Sequence, residues 1–407
     1  MRSQVGLNGL NLLTAAIQSG FGPFIAVWLT QNGWSLETIG LTLSIGTFAQ
    51  LISQVPSGWV VDHIHHKRYA AGAALIALGV AATLMAMPPT RPLIWGAEII
   101  HSAASGMMTP ALAALTLTLC GHGGFSSRLG LNARYASLGA AGSAALLGLA
   151  ASVFSERWVF LVTASMVLPA LGALLLIHPS TRWDPDCDHA AHLHPNDREA
   201  PFWSIFHEPS LHIFAIAAVL FQLANAALLP SALNNLTHRG GASGLVVSAT
   251  IIMPQVVVAL FSPWAGRLAQ RIGRRPVLIV GFAAVPLRAF LFATNPGAVP
   301  LVVFQALDGV SASVFGLMLP LIAADATEAS GFLNLAIGSL GLAANLGGMF
   351  STTLAGVVAD RFGDTVEFVL LGAVGSLAVA LLAFAMPETR PVRSPDAARA
   401  LAPAAGD

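Results

Sequence analysis

Apolar runs of about twenty residues, the length an α-helix needs to cross a bilayer, recur along the chain with short polar breaks between them. Windows of that length predict six helices in the first half, at 8–30, 37–57, 69–87, 92–119, 128–154 and 158–178. Six more follow, at 210–234, 243–265, 276–293, 299–323, 332–357 and 366–386. The breaks are rich in turn formers, as in Gln31–Gly33, Pro88–Pro92 and Thr294–Gly297. One break is longer and rich in Asp and His. It divides the chain into an N-terminal six-helix bundle (1–182), a linker (183–208), a C-terminal six-helix bundle (209–390) and an Ala/Pro-rich tail (391–407). The tail is expected to be disordered. The fold class is an all-α membrane protein of twelve transmembrane helices.

Composition supports this picture. Charged residues make up 9% of the chain and apolar residues 55%, against about 25% charged in soluble domains. Mean hydropathy is +0.73. The formal net charge of zero gives no sign of nucleic-acid binding. The first apolar run is too long for the core of a cleavable signal peptide. Lys and Arg set the orientation. Arg91, Arg157, Arg239 and Arg361 fall on one side, Arg288 falls inside a span, and the other fourteen share the opposite side. Both termini are therefore expected in the cytoplasm of a cell with an inner membrane. The two cysteines, Cys120 and Cys187, fall on that side and are expected to stay reduced.

The two halves repeat. The basic stretch Gly266–Pro276 has a degraded copy, Gly58–Arg68, 208 residues earlier. Each reads as a charged hinge loop between two helices. Gly106–Pro110 matches Gly316–Pro320, and Ala113 and Ala114 match Ala323 and Ala324. Glu98 aligns with Asp308, Asn132 with Asn334, and Pro179–Arg182 with Pro387–Arg390. Two parallel six-helix repeats around a central path suit a transporter that rocks about a midplane site.

At these loops the chain resembles the major facilitator superfamily, over nearly its whole length. The family's loop between helices 2 and 3 runs Gly-x-x-x-Asp-x-x-Gly-Arg-Lys/Arg. The first copy supplies Gly58, Asp62, Lys67 and Arg68, with His65 at the second glycine. The second supplies Gly266, Gly273, Arg274 and Arg275, with Gln270 at the acid. The resemblance implies the superfamily's two-bundle fold and alternating access, with these eight residues as a conformational latch. Helix 5 also resembles the family's antiporter signature. Gly130, Gly139 and Gly148 fit it, while Ser143, Ala144 and Leu147 replace a glycine, the proline and a further glycine. In helix 4, Glu98 and His101 stand where the family often has Arg and Gln.

Ionisable residues inside spans are costly, so each is a functional candidate. Asp308 ranks first. It lies about 13 Å into helix 10 at 1.5 Å per residue, near the depth of Arg288 in helix 9. The pair is either a structural ion pair or a proton site, since a carboxylate that exchanges an arginine for water can load and release a proton. Glu98 and His101 share a helix face. They read as a proton relay, or Glu98 as a solvated residue of the outer vestibule. Arg134 is either a snorkelling arginine or an attractor of anionic solutes.

Uncharged polar residues within spans are Asn11, Gln18, Gln50, Gln54, Gln222, Asn225, Gln255, Gln305 and Asn345. Each is helix–helix glue or part of a cavity. Helices 1, 7 and 8 line the cavity in the family, which nominates Gln18, Gln222, Asn225 and Gln255, with Phe21 as an apolar contact. The linker's Cys187, His189, His192 and His194 do not form a closed metal pattern. No metal or other cofactor is expected. No Walker loop, Gly-x-Ser-x-Gly elbow or His-Glu-x-x-His is present, so the chain does not read as an enzyme.

The expected function is secondary active transport of a small organic molecule, with protons and the lipid bilayer as the other partners and a monomer as the working unit. Proton-coupled efflux is the first reading, from the helix 5 signature and a cavity that reads as apolar. A proton-coupled importer, a metal-ion exporter and a non-transporting sensor are the alternatives.

Overall fold

A computed structural model describes residues 2–19, 21–153, 156–178, 208–239, 244–328 and 330–389. The linker histidines, Cys187 and the tail lie outside the described residues. The first half holds α1 (Arg2–Ser19), α2 (Gly22–Gln31), α3 (Leu36–His63), α4 (Lys67–Met85), α5 (Arg91–Val153) and α6 (Glu156–Leu175). The second holds α7 (Pro209–Asn225), α8 (Leu228–His238), α9 (Gly244–Ile272) and α10 (Arg274–Ala293), then α11 (Ala298–Phe304), α12 (Ala306–Ala326), α13 (Leu333–Phe362) and α14 (Asp364–Ala385).

Ten helical stretches are long and apolar enough to cross a bilayer among the described residues. One of them, Arg91–Leu147, is 57 residues long. That is well over twice what one crossing uses. It divides at Gly121, whose φ of 61° and ψ of 177° break the helix and reverse the chain. With this division, and with α1 and α2 taken as one interrupted crossing, the twelve expected spans are present. Spans 7 and 10 are interrupted too, at Ala226–Ala227 and at Gln305.

The hinges differ from expectation. Gly58–His63 and Gly266–Ile272 are helical, not loop. The turns proper are Ile64–His66, closed by Lys67 Nζ on the carbonyls of Val61 (2.6 Å) and Asp62 (3.1 Å), and Gly273, with φ 107°. Chain-end carbonyls capped by a lysine and a glycine at positive φ are ordinary helix stops.

Two hydrophobic clusters form the interior. One spans Leu7 to Ile177. The other spans Leu211 to Met386 and also takes in Ala113 and Phe125 from the first half. Glycines set the closest helix approaches, at matching places in both halves. A Cβ on Gly139 would stand 2.0 Å from the Leu12 carbonyl oxygen, and one on Gly347 would stand 2.2 Å from that of Val219. Ser143 meets Ser19 beside the interruption of span 1, and Ser351 Oγ accepts from the Ala227 amide (3.0 Å) beside that of span 7. Gly139→Ala and Gly347→Ala should each cost about 1–3 kcal/mol, since backbone rather than a mobile side chain blocks the added methyl. Thermal unfolding in detergent would show two similar losses.

Candidate functional site

The halves meet tightly at the end that carries the turns at 64–66 and 273, here the latch end. Four glycines make this possible. A Cβ on Gly58 would stand 2.1 Å from the carbonyl oxygen of Asn334, and one on Gly266 would stand 2.6 Å from that of Ser126. Gly338 lies equally close to Gln54, and Gly130 to Ser262, at 2.4 Å each. These four contacts form two pairs, each related by the 208-residue repeat.

Hydrogen bonds seal the same two seams. Asp62 Oδ1 accepts from the Asn334 amide (3.1 Å) and from Asn334 Nδ2 (2.8 Å), and its Oδ2 accepts from the Leu335 amide (2.8 Å). Asn334 and Leu335 are in the first turn of α13, where helix amides have no internal partner. Opposite, Ser126 Oγ donates to the Gly266 carbonyl (2.6 Å), Ser127 Oγ donates to Gln270 Oε1 (2.8 Å), and Gln270 Nε2 donates to the Gly123 carbonyl. The counterpart of Asn334 is therefore Ser126, not Asn132. Asn132 instead donates to Thr116 Oγ1 within the first half (2.8 Å).

Of the eight expected latch residues, Gly58, Asp62 and Gly266 reach across the seams. Lys67 caps its own helix. Arg274 Nε pairs with Asp325 Oδ2 (3.0 Å) in the same half. The amides of Arg274 (2.7 Å) and Arg275 (3.2 Å) donate to the two carboxylate oxygens of Glu388. Gly273 leaves the room Glu388 occupies. Arg68 is half-buried and has no partner among the described residues.

Whole turns farther from the latch end, the same faces of the four seam helices carry Thr47, Ala144, Ile251 and Thr352, all exposed. The cleft between the halves is thus open at its far end.

One charged network lies in the second half, beside the interruptions of spans 7 and 10. Arg288 is 1% exposed. Its Nη1 reaches Asp308 Oδ1 at 2.5 Å and Gln305 Oε1 at 3.0 Å. Its Nη2 donates to Asn225 Oδ1 at 2.5 Å. Gln305 Nε2 donates to the Thr250 carbonyl (3.3 Å). Asn225 is the last residue of α7, Gln305 is the interruption itself, and Asp308 is in the first turn of α12. A single guanidinium thus ties two discontinuous spans together, and discontinuous spans near mid-depth are where transporter sites are built. Asp308 keeps 24% of its side chain accessible.

The first half is built differently. Glu98 Oε2 lies 3.7 Å from His101 Nδ1, and neither atom has another partner among the described residues. Glu98 is 6% exposed, so it is not a solvated vestibule residue. It fills the space left by Gly46, where a Cβ would stand 2.2 Å from its Oε1. His101 stacks on Phe21, with ring centroids 3.9 Å apart.

One cavity candidate sits elsewhere. Phe21 is fully buried in the first hydrophobic cluster. Arg134 is exposed, one turn from Gly130 and two turns from Ser127 on the seam face of α5. Gln18, Gln222 and Gln255 remain half-buried. Gln255 lies two turns from Ser262 on the seam face of α9, above the closed crossing.

Comparisons with known proteins agree with this architecture. Residues 5–327 match the MFS_1 like family. Uncharacterised MFS-type transporters of Mycobacterium tuberculosis strains CDC 1551 / Oshkosh and H37Rv are each 34% identical over 393 residues, covering 94% of this chain and 93% of theirs. The proton:xylose symporter XylE, in a structure bound to 6-bromo-6-deoxy-D-glucose, superposes with a TM-score of 0.75 at 14% identity, covering 96% of each chain. The Escherichia coli fucose:proton symporter FucP gives 0.73 at 15% identity, covering 94% of this chain and 98% of the other. At those identities the two structures speak for the fold alone. The chain belongs to the MFS_1-like family of the major facilitator superfamily, whose members are membrane transporters and not enzymes.

Proposed function

We propose that this transporter couples solute movement to protons through Asp308, and that the coupled mode is symport into the cell across the inner membrane. The latch end is the cytoplasmic end, with both chain termini inside, on the bias of Lys and Arg. The observation that carries the proton reading is the Arg288 network. Arg288 is buried and holds three acceptors at once, two of them neutral amides. Asp308 alone among them is both ionisable and partly open to the cleft. Rocking that shifts either interrupted span changes how far Asp308 depends on Arg288, and a carboxylate whose partner changes can take up and give back a proton.

Efflux loses its main support. The helix 5 glycines make packing contacts that helix 11 repeats, Gly130 with Gly338 and Gly139 with Gly347. A pattern shared by both halves reflects helix approach and carries no direction. Both solved neighbours are proton symporters, which favours uptake.

Asp308→Asn is expected to abolish pH-driven transport in proteoliposomes while folded protein stays in the membrane. Unchanged coupling in that variant would sink the proposal. With the native protein, solute accumulation on the side opposite an imposed acid pulse reads as symport, and depletion reads as antiport. Absence of any proton-coupled charge movement favours a sensor on the same fold.

A further inference from the structure

The buried and half-buried amides within the spans fall into two groups. Asn8, Asn11, Asn132, Asn225, Asn235, Gln270, Gln305 and Asn334 are spent, each hydrogen-bonded to a named neighbour. Gln18, Gln50, Gln54, Gln222, Gln255 and Asn345 are half-buried. Their side chains have no hydrogen-bond partner among the described residues, and Gln54 Oε1 is buried with none.

The unspent group is not scattered. It comes from spans 1, 2, 7, 8 and 11, three residues from each half. Gln54 stands at the closed seam, near Gly338 and Gly341. Gln50 is one turn above it, Asn345 is two turns above Gly338, and Gln255 is two turns above Ser262, on the faces turned to the cleft. Gln222 lies one turn from Val219, the residue that meets Gly347. Gln18 in α1, like Asn225 in α7, stands just before the interruption of its span. In the second half that place is consumed by Arg288, and in the first half nothing consumes it.

A side-chain amide has two donors and two acceptor lone pairs. Leaving such groups unpaired when a ligand displaces their water costs about 1–3 kcal/mol each. A lipophilic solute sealed into this cleft would incur that cost several times. Aromatic rings do not take over the lining. Phe21 lies in the first core, and Phe221 is 2% exposed and stacked on Phe315.

We infer that the transported solute bears several hydroxyl or amide groups, and that the unspent amides above the seam, Gln54 excepted, bind it. This deepens the transport reading, on which it rests.

The test is equilibrium binding by calorimetry with the full-length protein in nanodiscs and no ion gradient. The neutral probes are D-glucose, D-xylose, L-fucose and myo-inositol. The charged, lipophilic probes are tetraphenylphosphonium and benzoate. At least one neutral probe should bind saturably. Gln255→Leu and Asn345→Leu should each weaken it about tenfold, the loss of one to two hydrogen bonds. Gln4→Leu, at an exposed position outside the cleft, should leave binding unchanged. Failure of every neutral probe to bind overturns the inference. So does binding that Gln255→Leu and Asn345→Leu leave intact, or preferential binding of either lipophilic probe. Because no gradient is present, a failure of proton coupling at Asp308 leaves this readout untouched, so the two proposals fail separately.

Discussion

Arg288→Met should destabilise the second half by about 3–5 kcal/mol, the usual cost of removing one partner from a buried ion pair. The side chain it replaces is 1% exposed and serves Asp308, Gln305 and Asn225 together. Its removal strands one carboxylate and two amide oxygens beside two helix interruptions. Asp308→Asn is milder. The guanidinium then keeps Asn225 and Gln305 as acceptors, and an asparagine oxygen can replace the carboxylate oxygen. The double variant Arg288→Met with Asp308→Asn should recover part of the first loss, because no charge is left without a partner. Thermal unfolding of the three variants in detergent measures this. A double variant no better than Arg288→Met would mean that the amides, not the charge, hold the interruptions in place.

The ordering of these variants bears on transport. Arg288 is structural in the sense that it joins two spans, and functional in that its grip on Asp308 is the only charged one of the three. A transporter whose proton site were also its main brace would lose the fold with the proton. Here Arg288 keeps Asn225 and Gln305 as acceptors whichever form Asp308 takes, so Asp308 is free to change protonation. That is why Asp308→Asn tests coupling, whereas Arg288→Met tests stability.

Much of the fold was legible because the bilayer restricts what a span can be. Twenty apolar residues can only cross as a helix, so the spans could be counted from hydropathy. Basic-residue bias and the repeat are also one-dimensional signals. The exact helix ends were not legible. Gly58–His63 and Gly266–Ile272 are polar enough to read as loop, yet they continue their helices beyond the apolar run. The Arg288–Asp308 pair was foreseeable because two opposite charges at one depth rarely stay apart. Its ties to Asn225 and Gln305 were not, because they depend on where spans 7 and 10 break. Glu98 misled for a similar reason. Its distance from the helix end suggested water, but Gly46 on a neighbouring helix gives it a dry place. The cleft amides were visible as residues, but nothing in a sequence says which amides have found partners. The mispairing of Asn132 with Asn334 had a simpler cause. Matching by residue type allowed for a shorter loop, whereas the constant spacing of 208 residues that relates Gly58, Gly130, Gly139 and Ser143 to Gly266, Gly338, Gly347 and Ser351 leads to Ser126.

That spacing also exposes an asymmetry with a measurable consequence. Asp62 and Gln270 hold equivalent places at the two seams, but only one is charged. α13 begins at Leu333, so the amides of Asn334 and Leu335 are free to donate, and a carboxylate there also gains from the positive end of the helix. On the other seam the helix restarts just after Gly121, a turn before Ser126 and Ser127. Their amides are already inside the helix, and only their hydroxyls face Gln270. A carboxylate would find no helix end there, which is a physical reason for glutamine at that place. Asp62→Asn should therefore weaken closure at the latch end by about 1–2 kcal/mol, a five- to thirtyfold shift in the balance between the two access states. Gln270→Ala should shift it less, and Gln270→Asp should not strengthen it. Spin-label distances across the latch end, between α3 and α13 and between α5 and α9, would report all three variants. Substrate preference should stay the same in each, because the amides proposed to bind the solute lie above both seams. A change of preference in Asp62→Asn would mean that the solute site extends down to the latch.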